Sequence, residues 1–98
     1  MVTVAEIPRL TRRRPRSFPE WLQLRRWGKL PEREAHVPGY LLRAARENAG
    51  LTQVQLAQKL GRSQQAVARA ERWDSNPTAR FMVRWANACG LRLEIRLS

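Results

Sequence analysis

Apolar residues recur at helical spacing from Gly39 almost to the end of the chain, whereas the stretch before it is interrupted by Pro8, Pro15, Pro19 and Pro31, too often for a long helix. This break divides the chain into a Pro-interrupted extension, residues 1–37, and a helical domain, residues 38–98. Four helices are predicted over about 40–90. Tyr40 to Ala49 is a run of good helix formers stopped by Gly50, with Leu41 or Leu42, Ala45 and Ala49 as its inner stripe. Thr52 caps the next, Gln55 stands at the capping-box position, Leu56, Ala57 and Leu60 face inward, and Gly61 ends it. Ser63 caps a third helix from Gln64 to Arg72, with Val67 and Ala70 inside and Gln64, Gln65, Ala68 and Arg69 turned outward. So short a turn forces the second and third helices to cross steeply, and the small residues Ala57 and Gly61 leave room for the crossing. After Asn76-Pro77, Thr78 caps a fourth helix, in which Met82, Trp85, Ala86 and Cys89 follow i, i+3, i+4, i+7 spacing up to Gly90.

The period then changes. Leu91-Arg92-Leu93-Glu94-Ile95-Arg96-Leu97 alternates apolar and polar residues, the pattern of a half-buried strand. A lone strand leaves its backbone groups unpaired. Leu91, Leu93, Ile95 and Leu97 are therefore expected to form a strand paired across a two-fold dimer, with pairing to Val2–Ile7 of the same chain as the alternative. In the extension, Ser17-Phe18-Pro19-Glu20 has the form of a capping box and opens one short helix that closes at Gly28, ahead of Pro31. Phe18, Trp21, Leu22 and Trp27 give that helix more apolar surface than a linker requires, so it packs on the domain, on a second copy or on a partner. Before it, Arg12-Arg13-Arg14-Pro15-Arg16 is either a phosphate-binding arm or a solvated linker.

Composition narrows the choice of partner. The 98 residues suffice for one small domain and an appendage. Nineteen Lys and Arg against eight Asp and Glu give a net charge of +11, which favours a polyanion. Seventeen of the nineteen are Arg, whose guanidinium forks onto phosphate and onto guanine edges, although a GC-rich coding sequence accounts for part of that excess. The extension carries +5 and the domain +6, so charge does not distinguish them. A single cysteine, Cys89, excludes an intrachain disulfide and a Cys-rich zinc site, and a single histidine, His36, leaves little for metal coordination or His-based catalysis. Cys89 reads as a small core hydrophobe. No enzymatic activity, metal or cofactor is expected. With no apolar run of about 18–20 residues and no apolar leader segment, the chain is expected to be soluble and cytoplasmic, without a membrane partner.

Residues 42–90 resemble the helix-turn-helix family of phage Cro and repressor proteins and the related bacterial antitoxins. The resemblance is carried by Arg46, Leu51-Thr52-Gln53-Val54-Gln55-Leu56-Ala57, Leu60-Gly61, Ser63-Gln64-Gln65-Ala66-Val67, Arg69-Ala70-Glu71-Arg72 and Asn76-Pro77-Thr78, above all by the spacing of Ala57, Gly61 and Val67. It implies an all-α helix-turn-helix domain whose third helix lies in the DNA major groove. Gln64, Gln65 and Arg69 are then the base readers, since Gln pairs with adenine and Arg with guanine in bidentate fashion. Gln53 and Ser63 fall where the family contacts phosphate, with Arg43 and Arg62 as nearby cations. Arg46 and Glu71 stand where family members often form an internal ion pair, so a structural role is expected of them. Two positions depart from the family: Arg62 replaces an apolar residue and Trp73 a glycine. The closing segment is similar to the C-terminal strand of antitoxins of the HigA and HipB kind.

These readings converge on a dimeric, sequence-specific repressor of double-stranded DNA, meeting successive major grooves of an inverted repeat. The expected setting is the antitoxin of a type II toxin–antitoxin pair that represses its own operon, with Phe18, Trp21 and Trp27 binding the toxin. One alternative is a stand-alone or phage-type regulator that uses residues 1–37 as a DNA arm. Another is a protein-interaction module without DNA binding, against which Gln64, Gln65 and Arg69 argue.

Overall fold

The computed structural model describes residues 14–93, apart from the side chain of Arg33. Six helices follow one another: α1 (Phe18–Arg26), α2 (Glu32–Ala35), α3 (Pro38–Asn48), α4 (Gln53–Leu60), α5 (Gln64–Ala70) and α6 (Ala79–Ala88). Among the described residues there is no strand.

Local chemistry sets the ends of α4, α5 and α6. The Thr52 hydroxyl accepts the Gln55 amide at 3.1 Å while the Gln55 side chain accepts the Thr52 amide at 2.9 Å, so two otherwise orphaned donors are satisfied reciprocally. Ser63 accepts from the Ala66 amide and Thr78 from the Phe81 amide, each at 3.1 Å. At the far end of α4, Gly61 takes φ +64°, a left-handed conformation open to glycine because it has no β-carbon. The Arg62 amide then reaches back to the Ala57 carbonyl at 2.9 Å, and only Gly61–Ser63 separate α4 from α5.

One core is formed by Leu42, Leu56, Ala57, Leu60, Val67, Trp85 and Cys89, where α4 packs on α5 and α6 and α3 packs on α6. The indole of Trp85 is wholly buried and donates to the Leu42 carbonyl at 2.9 Å. This bond satisfies a donor that would be costly to bury unpaired. Two boundaries differ from those predicted. α3 ends at Asn48 with Ala49 as its exposed C-cap, and α5 ends at Ala70, leaving Arg72 in the following loop.

The extension is part of the folded unit. It contains two helices, where one was predicted, and α1 presses Phe18 and Trp21 against Val37, Tyr40 and Ala44 in a second buried cluster. Tyr40 meets Phe18 at 5.5 Å and Trp21 at 5.4 Å between ring centroids, both edge-on, the favoured arrangement for aromatic quadrupoles. Tyr40 donates its hydroxyl proton to the Arg16 carbonyl at 3.0 Å, and the Trp21 indole donates to the Glu34 carbonyl of α2 at 2.6 Å. Ser17 precedes α1 without a side-chain cap, and Glu20 instead pairs with Arg16 at 3.4 Å. Pro19 suits this start, because its missing N–H falls in the first turn, where no intrahelical bond is lost. Trp73, the residue that replaces a family glycine, packs on this second cluster.

The expected dimer strand finds no counterpart in Leu91 and Leu93, which have no regular structure. The Leu91 amide turns back to the Ala86 carbonyl at 2.8 Å, behind a left-handed Gly90, so it closes α6 instead of opening a ladder. Ile95 and Leu97 lie outside the described residues, as do Val2–Ile7 and Arg12–Arg13.

Candidate nucleic-acid interface

α5 is held to the domain by one side. Val67 is wholly buried and Ala70 packs against the same core, which leaves Gln64, Gln65 and Arg69 exposed and Ala68 half-buried. The two glutamines occupy the first turn, just after the Ser63 cap, and Arg69 follows one turn later. The exposed face thus offers amide groups that both donate and accept, then a guanidinium that only donates, in a helix packed on α4. The family model for helix-turn-helix matches residues 42–95, more than half of the chain. The chain belongs to the helix-turn-helix family. Neither a curated protein nor a solved structure gives a match. As a helix-turn-helix protein it is a DNA-binding transcription regulator, and α4–α5 is its helix-turn-helix unit.

The residues predicted to touch phosphate fall in two groups around this unit. Ser63 and Arg62 lie in the turn itself, both exposed. Arg62 leans towards α6, its guanidinium 6.0 Å from the centroid of the Phe81 ring. Gln53, the first residue of α4, is half-buried, and its side chain donates to Glu71 at 3.1 Å. Arg43 is directed to the extension, 4.1 Å over the Phe18 ring and 3.2 Å from Glu47.

Behind the helix-turn-helix unit, Arg46 and Glu71 form a buried two-pronged ion pair. The guanidinium donates to both carboxylate oxygens, with Nη2 to Oε1 at 3.0 Å, and its Nη1 donates to the Leu51 carbonyl at 2.8 Å. The hydrogen bond to Glu71 raises the already high pKa of Arg46, outweighing the opposing effect of burial, so this cation stays charged throughout the range of protein stability. Together with Gln53 the pair ties Glu71, the residue that closes α5, to α3 and to the start of α4.

Of the aromatic residues predicted to bind a partner, Phe18 and Trp21 are corrected by their burial: both are closed inside the second cluster. Trp27 is 60 % exposed at the end of α1 and is flanked by exposed Arg25, Arg26 and Lys29. Sequence reasoning also overlooked Arg72, three residues beyond Arg69, which shares a surface groove with it and is held by Asp74 at 3.0 and 3.1 Å. The spacing to Arg69 was visible, but the end of α5 at Ala70 was not. Among the described residues no helix is long and apolar enough to cross a membrane.

Proposed function

We propose that the protein is a sequence-specific repressor that reads DNA with Gln64, Gln65 and Arg69 and acts as a homodimer on an inverted repeat. The observation that carries this reading is the exposure of these three side chains on a short capped helix whose opposite face is closed by Val67. A second copy carries the recognition helix into the next major groove, about 34 Å along the duplex. Apolar alternation through Leu93, Ile95 and Leu97 supports the C-terminal segment as the dimer contact. The test is selection of binding sites from a random duplex pool with wild type, Gln65→Ala and Arg69→Ala. Arg69→Ala is expected to relax preference at one base position at a cost of about 1–3 kcal/mol, with the other positions unchanged. Equal binding of random DNA and of the DNA upstream of its own gene, at physiological salt, sinks the repressor reading.

A second reading makes this repressor the cytoplasmic antitoxin of a type II toxin–antitoxin pair, with no catalytic activity or metal of its own. It is favoured by Trp27, a large aromatic left in solvent among three cations, a setting suited to an interface anchor. Co-expression with the product of the adjacent gene tests it: Trp27→Ala should lose co-purification and keep operator binding. Loss of both properties together, or of neither, removes Trp27 from the toxin contact.

A further inference from the structure

Arg72 stands where two surface grooves meet. One, of about 500 Å3, runs beside α5 and is lined by Ala66, Arg69 and Arg72 before reaching Pro77 and Phe81. The other, of about 440 Å3, lies where α1 meets α3 and is lined by Arg14, Phe18, Tyr40, Arg43, Arg72 and Trp73. One residue therefore belongs to both, and the two linings together hold four arginines, Arg69, Arg72, Arg43 and Arg14, drawn from α5, the loop after it, α3 and the extension.

The carboxylates beside these arginines do not close them off. Glu47 pairs with Arg43, and Asp74 with Arg72, with every partner at least 40 % exposed. Such solvent-exposed pairs hold their partners weakly, so a phosphate can take the place of either acid. Glu71 also borders the second groove, but its charge is balanced by Arg46 and its oxygens are engaged by Arg46 and Gln53. All four cations are arginines, whose planar fork matches phosphate oxygens. Continuity with Arg69 favours the DNA that α5 reads over a separate acidic protein.

The geometry points to a second phosphate-binding surface, built jointly by the extension and the domain from Arg14, Arg43 and Arg72, on which the DNA backbone flanking the half-site lies. It rests on the reading of α5 as the base-reading helix and adds a contact that neither half of the chain holds alone. Arg14 anchors it from the extension and Arg72 from the loop after α5.

The test is anisotropy of a labelled random-sequence duplex of about 30 base pairs, titrated with the full chain from about 50 to 200 mM salt. Each phosphate contact contributes about 0.9 to the slope of log K against log salt. The double variant Arg14→Ala/Arg72→Ala is expected to lower that slope by about 1.8, and Arg14→Lys/Arg72→Lys to restore most of it. Arg25→Ala/Arg26→Ala, an equal loss of charge away from both grooves at the end of α1, should leave it unchanged. An unaltered slope in the first variant overturns the proposal, and so does an equal drop in the Arg25/Arg26 variant, which makes the effect one of net charge. If the first variant keeps its DNA slope but loses binding to poly-glutamate, the groove serves an acidic protein and the proposal is wrong. A wild-type chain with no salt-dependent DNA binding condemns the α5 reading itself, whereas wild type and alanine variant binding alike condemns only this surface.

Discussion

The backbone carbonyl of Arg72 rests directly on Gly39: a β-carbon built on Gly39 would lie 1.9 Å from that oxygen and 2.7 Å from its carbon. Gly39 is the second residue of α3, and Arg72 lies in the loop that leaves α5. This approach sets how closely the start of α3 seats against the loop that follows α5.

Because the opposing atoms are backbone, no side-chain rotation relieves the clash in Gly39→Ala. The variant is expected to lose about 1–3 kcal/mol or more of stability, the usual cost of forcing volume into a packed site. Urea denaturation reads this as a lower midpoint at constant slope, and an unchanged midpoint would falsify the contact.

Arg46 and Glu71 should respond asymmetrically to substitution. Glu71→Ala leaves a buried guanidinium without its carboxylate and is expected to cost about 3–5 kcal/mol, whereas replacing both with apolar residues of similar volume is expected to be near neutral. A double-mutant cycle by thermal denaturation checks it. Equal losses in the single and double variants contradict the coupling.

The two tryptophans of the extension should separate cleanly. Trp21 is wholly buried, and Trp21→Ala is expected to cost about 3–5 kcal/mol. Trp27→Ala, at an exposed site, should stay within about 0.5 kcal/mol of wild type. Acrylamide quenching gives an independent check, since removing Trp27 should eliminate the most accessible emission. A large stability loss in Trp27→Ala contradicts the assignment.

Burial pushes the Cys89 thiol above its ordinary pKa of 9.0, with Arg46 and Lys59 opposing the shift. The folded chain therefore holds this proton more tightly than the unfolded one. The resulting stability is present below about pH 9 and is lost as pH rises through the folded pKa. Melting temperature should fall more steeply for wild type than for Cys89→Ala above pH 9, and a disulfide exchange reagent should react slowly with the native thiol at pH 8. Parallel melting curves across that range rule the coupling out.

The helical domain could be read from local signals because its ends are local. Thr52 with Gln55, Ser63 and Thr78 announce helix starts in the order of residues alone, and the inner stripe of Leu56, Ala57, Leu60, Val67 and Trp85 follows from period. The extension could not be read in this way. Period identifies an apolar face but not what covers it; Phe18 and Trp21 are covered by Tyr40, 19 to 22 residues away in sequence. The same holds for Arg43 and Gln53: their residue types suit phosphate, but where they are directed depends on Phe18 and Glu71, partners set by tertiary packing. The outward placement of Gln64, Gln65 and Arg69 is legible in the sequence because an outward position on a capped helix needs no distant partner.

Trp73 also sets a boundary for transplantation. Gln64, Gln65 and Arg69 are exposed, so exchanging those three for the counterparts of another helix-turn-helix protein leaves the scaffold undisturbed and, on the proposed reading, carries a new base preference onto it. An exchange continued through residue 73 would import the glycine usual at that position. α1 would then lose one wall of its seat, and with it the docking that keeps Arg14 beside Arg72.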